Sequence, residues 1–134
     1  MTVCINLFGG PGCGKSTTAA GVFHLMKLRG LSCELVTEYA KDLVWENQLV
    51  GGPQQVVLLG EQFKRMLRLR GRVDFVVTDS PILLGHAYLK GAPITLGPLI
   101  RELFSTFDNQ NFFLLRHKKF EVAGRLETEA EAWQ

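Results

Sequence analysis

The sequence predicts an α/β fold in three layers, with a parallel sheet of about four strands between helices. Two observations carry this. Short uncharged apolar runs recur along the chain, each followed by a stretch with helical spacing, the pattern of parallel strands joined by crossover helices. The first run, Val3-Cys4-Ile5-Asn6-Leu7-Phe8, leads directly into Gly9-Gly10-Pro11-Gly12-Cys13-Gly14-Lys15-Ser16-Thr17, and a helical pattern begins there. That segment is G-x-x-x-x-G-K-[ST] between a strand and a helix, the context in which it binds phosphate. Its glycines let successive N–H groups converge on one concavity, and the positive end of the following helix reinforces the anion site. The spacing puts Lys15 on the β/γ-phosphates and the Ser16 hydroxyl on Mg²⁺.

The elements follow in order. Val3 to Phe8 lacks charge, as expected of a central strand covered on both faces. A helix over about Lys15–Arg29 places Ala19, Val22, Phe23 and Met26 at helical spacing and stops at Gly30. Cys33–Thr37 reads as the second strand, and Ala40–Asn47 as a short helix before the Gly51-Gly52-Pro53 break. The next helix, about Gln54–Arg70, directs Val57, Phe63, Met66 and Leu67 inward. Arg72–Asp79 makes the third strand. Pro81–Pro98 reads as irregular, with Gly85, Gly91, Pro93 and Gly97 as breakers. A helix over Leu99–Phe107 is ended by Asp108-Asn109, and Asn111–Arg116 forms the fourth strand.

Composition sets limits. The 134 residues predict a single domain over 1–134, and 46% hydrophobic with 21% charged residues is the balance of a globular chain. A net charge of +2 gives no case for nucleic acid or a membrane surface. The basic residues Lys64, Arg65, Arg68, Arg70 and Arg72 read as a solvated helix face. The 3 cysteines, Cys4, Cys13 and Cys33, are scattered, which points to reduced thiols and a cytoplasmic setting. There is no signal-peptide pattern and no run of roughly 20 apolar residues. His24, His86 and His117 share no metal-ligand spacing, and Trp45 and Trp133 read as packing residues.

In a parallel sheet the ligand lies at the carboxyl ends of the strands, which selects the remaining candidates. Asp79 ends the third strand, where an acid holds Mg²⁺ or addresses the substrate. Glu38 follows the second strand, where it can take the proton of an attacking hydroxyl, cap the next helix or bind a sugar hydroxyl. Arg116 ends the fourth strand and His117, Lys118, Lys119 and Arg125 follow it, and a mobile lid there would stabilise transferring phosphate, Arg116 and Arg125 foremost.

The phosphate loop, Val36-Thr37-Glu38-Tyr39-Ala40-Lys41, Thr78-Asp79-Ser80-Pro81 and Phe113-Leu114-Leu115-Arg116 with Gly124-Arg125 together resemble the P-loop kinases of nucleosides and nucleotides. The likeness is greatest to the nicotinamide riboside kinase-like branch and its phage relatives, and it spans residue 3 to about 132. It implies a P-loop NTPase-type fold, an ATP donor with Mg²⁺, and a small nucleoside, nucleotide or ribosyl acceptor. It also implies Glu38 and Asp79 at acceptor and metal, Arg125 in the lid, and Gln62 as a base reader. Such kinases continue into a fifth strand that this sequence, ending at Gln134, lacks. The exposed edge near Asn111–Arg116 is then a route to homo-oligomers. The alternative readings are a nucleotide-dependent ATPase or switch subunit, and a truncated, non-catalytic nucleotide-binding protein.

Overall fold

β1 (Val3–Phe8) takes the middle of the sheet because almost none of it requires water: Cys4, Leu7 and Phe8 are buried. The computed structural model describes residues 1–10, 12–38 and 52–115. Around β1 stand β2 (Cys33–Val36), β3 (Phe75–Thr78) and β4 (Asp108–Phe113), in the order β2-β3-β1-β4 and all parallel. The connections are α1 (Lys15–Leu28), α2 (Gln54–Leu67), a 3₁₀ helix over Ile82–Tyr88 and α3 (Leu96–Ser105). The α/β class and the four-stranded parallel sheet expected from the sequence are thus present.

Side chains on a strand alternate between faces, so each face has its own core. Leu7, Val77 and Ala19 pack together on the α1 side, with Val22 and Met26 beside them. On the opposite side Cys4, Val76, Leu59, Met66, Ile82 and Ile100 join the sheet to α2, the 3₁₀ helix and α3. Ile100 is 1% exposed and central to that cluster. Ile100→Ala is expected to cost about 2–5 kcal/mol through lost burial and an unfilled cavity, read as a drop in unfolding midpoint without change in slope.

Burial pushes the Cys4 thiol up to about 11, with the Asp108 carboxylate adding to the rise and Arg70 opposing it. The protonated form is favoured on folding, so this contribution is whole below about pH 9 and is lost as pH rises through about 11. Cys4→Ala should therefore flatten the decline in stability across that window, measured by denaturation at several pH values.

Three boundaries and one helix face differ from expectation. β4 runs over Asp108–Phe113, not Asn111–Arg116, and Asp108-Asn109 begin it instead of ending a helix. Its polar residues are held by the ladder to β1, and Asn6 Nδ2 donates to Asn109 Oδ1 and Asn111 Oδ1, both at 2.9 Å. α3 begins at Leu96, before Pro98, because a first-turn residue needs no intrahelical partner for its N–H. Residues 69–72 form turns after α2, with Gly71 at φ 83, so β3 starts at Phe75 instead of Arg72. On α2 the buried stripe is Gln55, Leu59, Gln62 and Met66, with Phe63 partly buried, while Val57 and Leu67 are 52% and 41% exposed.

The segment expected to be irregular, Pro81–Pro98, contains the 3₁₀ helix and the start of α3. Two of the basic residues have structural partners. Arg70 lies 4.5 Å over the Phe107 ring and donates to Thr106 O, and Arg65 pairs with Glu61 at 3.3 Å. Among the described residues no helix is long and apolar enough to cross a membrane. The expected helix over Ala40–Asn47, the cationic segment after β4, Trp45 and Trp133 lie outside the described residues.

Candidate functional site

The polypeptide leaves β1 at Phe8 and turns at once. Cys13 N donates to Gly10 O at 3.2 Å, and Gly12 and Gly14 stand at φ 78 and φ 94, conformations that side chains resist. Gly14 is the left-handed cap of α1, and Thr18 N already donates to its carbonyl. The result is a loop whose amides feed into a helix N-terminus, the arrangement that binds anions. Lys15 folds back across it, its Nζ donating to Gly9 O at 2.7 Å.

β3 delivers the acid. Val76, Val77 and Thr78 are fully buried, and Ser80 N donates to Thr78 Oγ1 at 3.0 Å, which fixes the exit of the strand. Asp79, 4% exposed, thereby faces α1, and Ser16 Oγ donates to its Oδ2 at 2.8 Å. Two residues 63 apart in sequence meet because β1 and β3 are neighbours in register, Asn6 beside Thr78.

A hydroxyl and a carboxylate are hard oxygen donors, which suit Mg²⁺. Among the described residues no group of three or more His, Cys, Asp or Glu could cage a metal. Ser16 and Asp79 would hold Mg²⁺ from the protein side.

Glu38 lies two residues beyond Val36, whose partner on β3 is Thr78, so the chain reaches Glu38 and Asp79 at the same end of the sheet. Arg65 Nη1 donates to Thr37 O at 3.4 Å and ties α2 to this exit. Pro11, Arg116 and Arg125 lie outside the described residues.

A family model described as an AAA domain matches residues 4–134. The chain belongs to the AAA domain family. Such a domain is P-loop NTPase-like, which suggests nucleotide binding and phosphoryl or ATPase chemistry, commonly with Mg²⁺. A solved structure titled "Crystal structure of APE1195" is similar to this AAA domain, with 20% identity and a TM-score of 0.48. The similarity covers 84% of this chain and 59% of the other, so the chain spans under two thirds of that protein's length. The search of curated proteins gave no match.

Three features of the AAA domain were not foreseen from the sequence. Phe8 and Phe113 stack at 5.1 Å between ring centroids, Arg101 Nη1 lies 2.8 Å from His86 Nε2, and the Asn6, Asn109 and Asn111 amides are bonded together. Asn109 and Asn111, two apart in a strand, share a face, and that spacing was the available signal.

Gly9 makes a further demand. A Cβ there would collide with Cys13 Sγ and stand 3.3 Å from Leu114 O. Gly9→Ala is expected to weaken nucleotide binding about tenfold or more by displacing the loop, an effect of about 1–3 kcal/mol. Adding Cys13→Ala should restore part of it, and a double-mutant cycle of ATP affinities measures the coupling.

Proposed function

We propose that this chain is an Mg²⁺-dependent kinase that transfers the γ-phosphate of ATP to a hydroxyl of a small nucleoside, nucleotide or ribosyl acceptor. In this reading it is close to the nicotinamide riboside kinase-like branch. The carrying observation is the Ser16–Asp79 hydrogen bond at 2.8 Å beside the loop, with an open cleft of about 280 Å³ starting at Phe8, the residue before Gly9. A cradle for phosphate and an adjoining space for a second molecule suit transfer between two substrates better than hydrolysis alone.

The residues divide the work by position. The loop amides and Lys15 hold the polyphosphate and fix the direction of attack. Mg²⁺ supplies charge neutralisation on the transferring group. Asp79 and Ser16 set where the cation stands. The acceptor oxygen forms a bond to the γ-phosphorus as the bond to the β-bridging oxygen breaks, and ADP departs. Glu38 takes the hydroxyl proton. In this reading Arg116 and Arg125 would stabilise charge on the equatorial oxygens, and Gln62, 7% exposed and with its Nε2 unpartnered among the described residues, has a donor left for the acceptor. The reading includes a single domain over 1–134, a cytoplasmic setting, and self-association through β4.

The test is ADP formation by the purified chain with Mg²⁺–ATP, alone and with nucleosides, nucleotides and nicotinamide riboside. Stimulation by one acceptor class, with phosphorylated product by mass spectrometry, is expected. Hydrolysis at one rate regardless of acceptor would instead identify an ATPase or switch subunit. Absence of ATP binding, equal in wild type and Lys15→Ala, would mark a non-catalytic remnant.

A further inference from the structure

We infer that the cleft beside the phosphate loop is a subsite for a planar, uncharged, oxo-substituted one-ring base, a uracil-type ring in preference to an amino-substituted one. This rests on the kinase reading and names the acceptor class for it. The cleft is lined by Phe8, Leu83, Leu84, His86, Ala87, Asn111 and Phe113, almost wholly apolar surface, at the carboxyl ends of β1 and β4. Its size, about 280 Å³, sits at the small end for ligand sites, which favours one ring over two. Phe113, 78% exposed, offers a ring face at the mouth and is itself held by stacking on Phe8. Leu114 N donates to Phe8 O at 2.8 Å, so this wall is fixed to the strand that begins the phosphate loop.

The polarity of the cleft follows from groups with only one possible role. Backbone carbonyls only accept, so Asn109 Nδ2 is the atom facing Phe104 O and Phe107 O. Asn109 Oδ1 is then left to accept from Asn6 Nδ2. The second Asn6 proton goes to Asn111, which must present Oδ1. Asn111 Nδ2 therefore remains as a donor, with no partner among the described residues.

The same logic applies to His86. A guanidinium only donates, so Arg101 makes His86 Nε2 an acceptor and leaves the proton of the neutral ring on Nδ1. Gly97 packs beside His86 and Leu89: a Cβ there would stand in ordinary contact with His86 Cε1 at 3.6 Å and press on Leu89 Cδ1 at 3.1 Å. Both polar residues lining the cleft among the described residues thus carry a donor. A ring bearing carbonyl oxygens satisfies them, whereas an exocyclic amino group meets donor with donor. Among the described residues no carboxylate lines the cleft, and the Arg101 charge stands behind His86, an arrangement that disfavours a cationic ring.

The experiment is calorimetric titration of the full chain with uridine, cytidine and adenosine without nucleotide, together with the ¹⁵N spectrum of His86. Uridine is expected to bind at least ~10-fold more tightly than cytidine or adenosine, the scale on which a donor left facing a donor in the complex is penalised. His86→Asn keeps an amide donor near the Nδ1 position and should stay within ~3-fold, while His86→Gln and Phe113→Ala should each lose ~10-fold or more. The spectrum should show the Nδ1-protonated tautomer, lost in Arg101→Gln. Equal or preferred binding of cytidine, or an Nε2-protonated ring in the wild type, would overturn the inference. A chain that binds ATP and phosphorylates another acceptor while ignoring uridine overturns the subsite alone. One that binds uridine as stated yet never phosphorylates it upholds the subsite and removes the kinase reading.

Discussion

Replacing Lys15 by Ala is expected to reduce kcat/KM for ATP by about 10²–10³-fold, or ~3–4 kcal/mol, with little change in the stability of the protein without nucleotide. The asymmetry comes from what the side chain touches. Among the described residues its side-chain hydrogen bond is to Gly9 O, which water can replace at the half-exposed loop. Its electrostatic role is directed at polyphosphate, where a positioned cation is worth most. Thermal unfolding with and without Mg²⁺–ATP provides the check. A ligand at 100 times its Kd stabilises by about 2.7 kcal/mol, and that upward shift should vanish in Lys15→Ala. A variant that keeps the full shift would remove the loop from the binding site.

Asp79→Asn is expected to reduce turnover by about 10²-fold or more and to raise the Mg²⁺ concentration needed for half-maximal activity. The substitution conserves shape, and the new amide oxygen can still accept from Ser16 Oγ. What disappears is the negative charge at the position where the cation would stand. Folding should therefore survive, and the deficit should shrink as Mg²⁺ is raised, since mass action offsets a weakened site. An unchanged Mg²⁺ profile would exclude Asp79 from the metal's surroundings and leave it a strand-end residue bonded to Ser16.

The stretch from β1 through α1 was readable because its signals are local. The apolar run of β1, the loop glycines and the start of α1 at Lys15 each follow from adjacent residues, and all stand where expected. The Ser16–Asp79 meeting was readable too, since a motif fixes one partner and the end of an apolar strand the other. β4 was displaced because Asp108, Asn109, Gln110 and Asn111 have the composition of a turn. They form a strand only because β1 offers a ladder and Asn6 an amide, and neither is visible in a local window. The inner face of α2 was misassigned for a related reason. Glutamines take two positions of its buried stripe, so hydrophobicity alone pointed to Val57 and Leu67. The cleft was out of reach altogether. It requires the β4 register and the 3₁₀ helix, both set by tertiary contact.

Phe8 occupies a junction: its carboxyl side opens into the glycine loop, and its ring forms the floor on which Phe113 rests. Two guests would thus press on one short stretch of backbone from opposite sides. Linkage makes such sharing symmetrical, so whatever factor a triphosphate imposes on the affinity for the ring, the ring must return in equal measure. Order of arrival is then a matter of rates, and the thermodynamic balance is indifferent to which molecule enters first.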